Sequence, residues 1–240
     1  MIKMLKSTTF IYRMLCKWFI TPILKREWKH PPVDSFNERS IELSFAFKCL
    51  YQVCPQKVID VGTGYSALPS LLANCGFHTT AIDLIEGVSE SGSMNYHYHI
   101  INDDITAPKI KEKFDVITCI SVLEHIPDHH AALKGMFSLL NPDGCIILTT
   151  YFNENRYVDD VYKLPQSGYG KDNRFICQIF SRKELDQWIG ENSAKIVTQE
   201  YYQVFSGELW TFGERLKPPI QVRKDEKHHL TCLLLQKGES

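Results

Sequence analysis

Short apolar runs punctuate the middle of the chain at regular intervals, and each ends in a glycine, an aspartate or another turn-forming residue. Such runs are typical of buried strands. They predict five strands, at Lys57–Val61, Thr79–Asp83, Tyr98–Ile101, Asp115–Ile120 and Cys145–Thr150.

Helical periodicity fills several of the intervals between these runs. Apolar residues at Leu68, Leu71, Leu72 and Cys75 follow the i, i+3, i+4, i+7 spacing of one helix face. A longer helix is predicted within residues 35–53, and others begin after the capping residues Asp128 and Ser181. Strands that alternate with helices predict right-handed βαβ units and a parallel sheet with helices on both faces.

The pattern changes after the fifth strand. Residues 151–180 are rich in Tyr, Asn, Asp and Arg and have little periodicity. Two long strands are predicted at 195–205 and 229–236, with the irregular stretch 206–228 between them. A connection of that length permits an antiparallel pair that closes the sheet.

The N-terminal residues 1–34 differ from the rest of the chain, and we treat 35–240 as a separate domain. Residues 1–30 carry seven Lys or Arg side chains against the single acid Glu27. Charged residues interrupt the apolar stretches, so no uninterrupted membrane span is predicted. The segment is either a basic amphipathic helix that contacts an anionic membrane surface peripherally, or a helix that packs on the domain or covers its ligand.

Composition excludes some classes of function. The net charge of −1 provides no general attraction to nucleic acid. The eight cysteines are scattered singly, without CxxC pairs, which favours buried free thiols over disulfides or a zinc site. We therefore expect a reducing, cytoplasmic location, and we predict no metal site.

The most informative motif is a strand that runs into a glycine turn, Asp60-Val61-Gly62-Thr63-Gly64, followed by a helix. Glycines let a ligand approach the backbone, and the start of a helix offers free amide donors. Asp83 ends the second strand 19 residues beyond Gly64, where a carboxylate can bind ribose hydroxyls. This spacing also fits a dinucleotide fingerprint, so an NAD-dependent oxidoreductase stays open at this point.

Further features distinguish a dinucleotide from other ligands that contain a nucleoside. The charge of Asp60 would oppose a pyrophosphate but could receive an ammonium group. Asp104-Ile105, favoured over the adjacent Asp103, follows the third strand, and the loop after the fourth strand reads Ser-Val-Leu-Glu-His from Ser121 to His125. With these motifs in this order, the chain resembles the class I S-adenosylmethionine-dependent methyltransferases.

The resemblance implies a doubly wound, Rossmann-like sheet of seven strands whose last strand is antiparallel. Residues 35–240 would form the methyltransferase domain, with substrate-side insertions at 151–180 and 206–228. The implied cofactor is S-adenosylmethionine, and the implied cofactor-binding residues are Asp60, Gly62, Thr63, Gly64, Asp83, Leu84, Asp104, Ile105 and Ser121.

A hydroxyl acceptor must lose its proton when it is methylated, so a base is required near the methyl group. His125 is the candidate, because it follows the fourth strand at the edge of the sheet where such folds bind ligands. It could instead only shape the pocket. His129 and His130, at the start of a helix, are expected to be solvated.

The two insertions mix aromatic rings with polar groups, which suits a small, polar, ring-shaped acceptor. The candidate acceptor-binding residues are Tyr151, Asn153, Tyr157 and Trp210. A hydroxyl of a sugar or glycoconjugate is the favoured acceptor, and a lipid or quinone at a membrane surface is the nearest rival. A non-catalytic cofactor-binding module is a further alternative, and the sequence leaves the oligomeric state open.

Overall fold

The computed structural model describes residues 36–64, 66–84, 100–168, 170, 173 and 175–238, and a few single positions between 11 and 25. The chain divides into two compact units, Met1–Asn37 and Glu38–Ser240. In the first unit, the described positions between 11 and 25 are helical. Among the described residues, no helix combines the length and the apolar character needed to cross a membrane.

The second unit contains four helices and eight strands in its described part. The helices are α1 (Arg39–Val53), α2 (Leu68–Asn74), α3 (His129–Leu139) and α4 (Arg182–Glu191). The strands are β1 (Lys57–Val61), β2 (His78–Asp83), β3 (Ile100–Asn102), β4 (Phe114–Ile120), β5 (Leu140–Tyr151), β6 (Ala194–Phe205), β7 (Arg215–Val222) and β8 (Leu230–Lys237). Short 3₁₀ turns lie at Leu123–His125 and Val161–Lys163.

All eight strands form one sheet in the order β3-β2-β1-β4-β5-β8-β6-β7. Strands β1 to β5 pair in parallel, whereas β8 is antiparallel to both β5 and β6. The predicted parallel sheet with an antiparallel closing strand is confirmed. The carboxyl ends of β1, β2, β4 and β5 therefore meet at one edge.

Alternating side chains of each strand build two apolar cores, one on each face of the sheet. On one face, α1 and α2 cover residues such as Val58 and Ile147. On the other face, α3 and α4 cover residues such as Ile59 and Ile146. Because both faces are buried, the strands read as continuous apolar runs rather than alternating ones.

The strand count differs from the expectation of seven. The additional strand β7 lies inside the predicted irregular stretch 206–228 and pairs antiparallel with β6 alone. Its two prolines, Pro218 and Pro219, are unusual in a strand because proline has no amide hydrogen to donate. They are tolerated because β7 is an edge strand, where a missing amide donor breaks few hydrogen bonds.

The two helix caps predicted from the sequence, Asp128 and Ser181, are present in the structure. The Asp128 carboxylate caps α3 by accepting from the Ala131 amide at 2.9 Å, and Ser181 forms a capping box with Glu184 at the start of α4. Residues 141–144 form an irregularity in β5, since Leu140 pairs with Phe114 and the next partner is Cys145. Part of the predicted third strand, Tyr98 and His99, lies outside the described residues.

All described cysteines are free thiols. Five of them are buried, as predicted: Cys49, Cys119, Cys145, Cys177 and Cys232. Cys54 and Cys75 are exposed, so the expectation of buried thiols was wrong for these two. Cys75 caps the C-terminal end of α2, and its amide donates to the Leu71 carbonyl at 3.0 Å.

Candidate active site at the carboxyl ends of the strands

The turn after β1 depends on two glycines in the left-handed region, Gly62 at φ +69° and Gly64 at φ +48°. The Gly62 amide donates to the Ile82 carbonyl of β2 at 2.9 Å. A Cβ atom on Gly62 would lie 2.3 Å from a methyl group of Val122. A side chain at this position would therefore be excluded by both backbone conformation and space.

The side chain of Asp60 stabilises this turn through hydrogen bonds. Its buried carboxylate accepts hydrogen bonds from the Thr63 and Thr118 hydroxyls, both at 2.6 Å. Burial raises the pKa of Asp60 to about 6, although the two hydroxyl hydrogen bonds oppose that rise. The carboxylate therefore ties the turn to β4, and it is not among the residues that line the cavity described next.

A cavity of about 590 Å³ opens beside the turn, at the carboxyl edge of the sheet. Its volume lies in the range of ordinary small-molecule sites. It brings together six of the residues predicted from the sequence: Gly62, Asp83, Leu84, Asp104, Ile105 and His125. The predicted residues Thr63, Gly64 and Ser121 are not among its lining residues. Lining residues that the sequence did not suggest include Ile82, Val122, Ile126 and Phe175.

Asp83 connects the glycine turn to the wall of this cavity. Its Oδ2 accepts a hydrogen bond from the Gly64 amide at 2.6 Å. Burial raises the pKa of Asp83, and hydrogen bonds from the Gly64 and Leu84 amides oppose that effect. The partly exposed carboxylate keeps further lone pairs with which it can accept hydrogen bonds from a ligand.

The two neighbouring aspartates after β3, Asp103 and Asp104, differ in the hydrogen bonds that their carboxylates accept. The buried Asp103 carboxylate accepts from the Lys109 and Ile110 amides, and it fixes the following loop. In the described structure, hydrogen bonds to the Asp104 carboxylate come from Thr106 and reach only Oδ1. The Oδ2 atom of Asp104 thus keeps its capacity to accept from a bound amino group.

His125 lies in the 3₁₀ turn that follows β4, and its ring makes an edge contact with Phe175 at 4.7 Å between centroids. Its Nδ1 atom is 2.7 Å from the Ile176 carbonyl oxygen. A carbonyl only accepts, so Nδ1 carries the hydrogen and Nε2 keeps a lone pair. Burial lowers the pKa of His125, which favours this neutral form.

A buried polar cluster adjoins this turn, and the sequence did not suggest it. Glu42 of α1 accepts hydrogen bonds from the Ser121 and Thr149 hydroxyls, and Arg39 Nη1 lies 3.1 Å from its Oε2. Arg39 also donates to the Ile120 carbonyl at the end of β4. The hydroxyl of Ser121, predicted to bind the cofactor, is thus engaged with α1.

The predicted acceptor-binding residues lie in the two insertions, residues 151–180 and 206–228. Tyr151 and Trp210 are buried and stack on each other, 3.7 Å between ring centroids. Asn153 organises its own loop by accepting from the Asn155 and Arg156 amides. The Tyr157 hydroxyl donates to Gln178 at 2.8 Å. None of these four predicted residues lines the described cavity.

His129 departs from the expectation of a solvated side chain. It is buried, and its Nδ1 accepts a hydrogen bond from the Trp188 indole at 3.1 Å. His130 lies at the surface and contacts Glu191. The sequence could not distinguish the two neighbours, because the partner of His129 lies 59 residues away, in α4.

Comparisons with known proteins find methyltransferases among the relatives of this chain. A ubiquinone biosynthesis O-methyltransferase of Pseudomonas fluorescens is 34% identical over 103 residues, which cover 40% of this chain and 44% of that protein. One of Coxiella burnetii is 27% identical over 166 residues, 63% of this chain and 70% of the relative. The chain thus spans less than half of the Pseudomonas relative.

Two solved structures share the fold. The 1,6-didemethyltoxoflavin-N1-methyltransferase of Burkholderia thailandensis has a TM-score of 0.57 at 13% identity, over 98% of this chain and 89% of that one. The N-methyltransferase NodS of Bradyrhizobium japonicum has a TM-score of 0.54 at 15% identity, over 91% and 98%. The methyltransferase domain family matches residues 33–199, more than half of the sequence. The chain therefore belongs to the methyltransferase domain family.

Proposed function

We propose that this chain transfers a methyl group from S-adenosylmethionine to a hydroxyl of a small, ring-shaped acceptor. The observation that carries the proposal is the arrangement of His125 at the cavity, with Nδ1 held by a carbonyl and Nε2 left as a base. The family and the names of the O-methyltransferase relatives support the same chemistry.

The cavity residues fit an adenosine-bearing cofactor. The Asp83 carboxylate can accept from ribose hydroxyls, Asp104 Oδ2 can accept from the adenine amino group, and apolar walls such as Ile105 suit the base. When bound, S-adenosylmethionine supplies an electrophilic methyl group. The Gly62 turn, which carries no side chain, would let the cofactor approach the backbone, and Asp60 adds negative charge beneath the turn.

The task of His125 is to take the proton from the acceptor hydroxyl. Because burial lowers its pKa, the imidazole is neutral at neutral pH and Nε2 can accept the proton. The Ile176 carbonyl fixes the ring and its tautomer, as an orienting group does for other catalytic histidines.

For the acceptor we favour a ring hydroxyl of a quinol or related phenol over the sugar hydroxyl expected from the sequence. The relatives named for ubiquinone biosynthesis support this choice. The mutual stacking of Tyr151 and Trp210 also argues for it, because rings that face each other offer no open platform for a sugar. The sugar remains the second candidate, supported by the partly exposed Asn153 and Tyr157 at the covering loops.

The location of the enzyme follows from the same chemistry. We propose that it acts in the reducing cytoplasm, and that the basic residues 1–30 contact an anionic membrane that holds a lipid-linked acceptor. Sedimentation with anionic vesicles tests the contact. Binding must weaken with added salt and with deletion of residues 1–30, and binding indifferent to both rules it out.

The function is tested by measuring S-adenosylhomocysteine formation with catechol, a hexose and quinol-containing vesicles as acceptors. We expect turnover with catechol or the quinol, and we expect His125→Asn to lower kcat by about 10²–10⁴-fold while cofactor affinity stays unchanged. The half-exposed His130→Asn is the matched control. A loss below about threefold for His125→Asn would contradict the role of this histidine as base.

A further inference from the structure

The residues that line the cavity fall into two groups on either side of the glycine turn. The carboxylates that suit the cofactor, Asp83 and Asp104, follow β2 and β3. The strand order β3-β2-β1-β4-β5 places β4 on the other side of β1 and its turn. The lining residues 125–128 follow β4, and Phe175 belongs to the insertion that follows β5. An acceptor that gives its proton to His125 therefore has to enter this second part of the cavity.

The ring of Phe175 is an open apolar surface beside the proposed base. Its exposed fraction is 53%, and single exposed apolar residues are common on protein surfaces. This one, however, lines the cavity, so part of its ring faces the space in which a ligand binds. The ring contacts the His125 imidazole at 4.7 Å between centroids, with 65° between the planes. The carbonyl of the next residue, Ile176, fixes His125 Nδ1, so the backbone beside Phe175 is anchored to the base.

The other aromatic side chains of the insertions are not available to a ligand in this cavity. Tyr151 and Trp210 are buried and stack on each other. Tyr157 binds Gln178 through its hydroxyl and does not line the cavity. Within the described part of the chain, the aromatic rings of the cavity wall belong to His125 and Phe175. Phe175 is therefore the phenyl surface on which an acceptor ring can pack.

A phenyl wall distinguishes aromatic rings from saturated ones. Two aromatic rings attract each other in offset-stacked or edge-to-face arrangements, and this attraction adds to the effect of buried area. A saturated ring of similar size buries similar apolar area but has no π-system. The wall formed by Phe175 should therefore favour a planar aromatic acceptor over a saturated ring with the same hydroxyl groups.

We propose that Phe175 packs against the ring of the acceptor and selects aromatic over saturated hydroxyl compounds. This inference rests on the proposed function and names a residue that determines the acceptor class at the same site. Phe175 binds the ring, and His125 takes the proton from its hydroxyl.

The test compares calorimetric binding of catechol and of cis-cyclohexane-1,2-diol to the protein saturated with S-adenosylhomocysteine. The two compounds carry neighbouring hydroxyls on rings of the same size and differ in aromaticity. The ratio of their affinities, catechol over diol, should fall by about 3- to 10-fold in Phe175→Leu, because the aromatic pair is lost. Phe175→Tyr should keep the ratio within about twofold of the wild type, since it retains the ring. The matched control is Tyr51→Leu, a ring on α1 that is 82% exposed and does not line the cavity, and it should leave the ratio unchanged.

The ratio separates a contact with the acceptor from a general change in the pocket. A distorted pocket would weaken both compounds alike, whereas loss of the aromatic wall weakens catechol more. If the diol binds too weakly to measure, catechol affinity that falls in Phe175→Leu and returns in Phe175→Tyr decides the matter.

The outcomes that contradict the inference differ from those that contradict the proposed function. An unchanged ratio in Phe175→Leu would overturn the role of Phe175 and leave the phenolic acceptor in place. Weaker S-adenosylhomocysteine binding by Phe175→Leu would assign the ring to the cofactor and would also overturn this role. A wild type that binds S-adenosylhomocysteine but no catechol would overturn the phenolic acceptor and, with it, the contact to Phe175.

Discussion

Replacing Glu124 by glutamine should change how the stability of the protein depends on pH. Burial raises the pKa of this carboxyl from its ordinary value of 4.5 to about 8. Between these values the folded protein keeps a proton that the unfolded chain releases. The wild type is therefore most stabilised by this group below about pH 4.5, and that stabilisation is lost as the pH rises through about 8.

The expected effect is large because the side chain is fully buried and water does not screen it. One pKa unit corresponds to about 1.36 kcal/mol, so the free energy of unfolding of the wild type should fall by about 4 kcal/mol between about pH 5 and pH 9 relative to Glu124→Gln. Asp60, whose pKa burial also raises, is present in both proteins and cancels in the comparison.

Urea denaturation of the two proteins at both pH values measures this difference directly. The exposed Glu112→Gln should follow the wild type at each pH. A difference between wild type and Glu124→Gln that stays constant within about 1 kcal/mol would show that the carboxyl ionises normally. The assignment of Glu124 as a neutral acid would then be wrong.

Other predictions concern the turn, the caps and the base. Gly62→Ala should destabilise the fold by about 1–3 kcal/mol, because the new Cβ would clash with Val122 at a residue whose φ is positive. The same variant should weaken S-adenosylhomocysteine binding in calorimetry. Gly190→Ala is the control, because its Cβ would lie in open space on α4, and it should raise the melting temperature. Asp128→Ala should cost about 1 kcal/mol in urea denaturation through loss of the α3 cap. On the acid side of a pH–rate profile, kcat/KM should decline only below pH 6.5, because burial lowers the pKa of His125 from that value. An acid-side decline that already begins above pH 6.5 would contradict a neutral buried base.

The sequence predicted those parts of the fold that depend on neighbouring residues. The five parallel strands carry their own apolar runs, and the left-handed glycines after β1 are visible as Gly62 and Gly64. The capping residue Ser181 also lies directly before its helix. These signals are local, because burial on both faces of a parallel sheet and the conformation of a turn are decided within a few residues.

The rest depended on contacts between distant residues. Strand β7 is held by pairing with β6, and its prolines conceal it in the sequence. The cluster around Glu42 joins α1 to Ser121 and Thr149, 79 and 107 residues away. A glutamate within a predicted helix gives no sign of such burial. The same holds for Glu124, whose full burial is visible only in the folded structure.

Calorimetric titration of S-adenosylhomocysteine into the wild type and Asp83→Ala tests whether the cavity beside the glycine turn is the cofactor site. We expect saturable binding by the wild type, because this cavity offers hydrogen-bond acceptors for ribose and adenine. We expect at least about a tenfold loss of affinity for Asp83→Ala, whose carboxylate forms part of the cavity wall. Equal affinity in the two proteins would contradict the assigned site, and tight binding of NAD without S-adenosylhomocysteine binding would contradict the proposed chemistry.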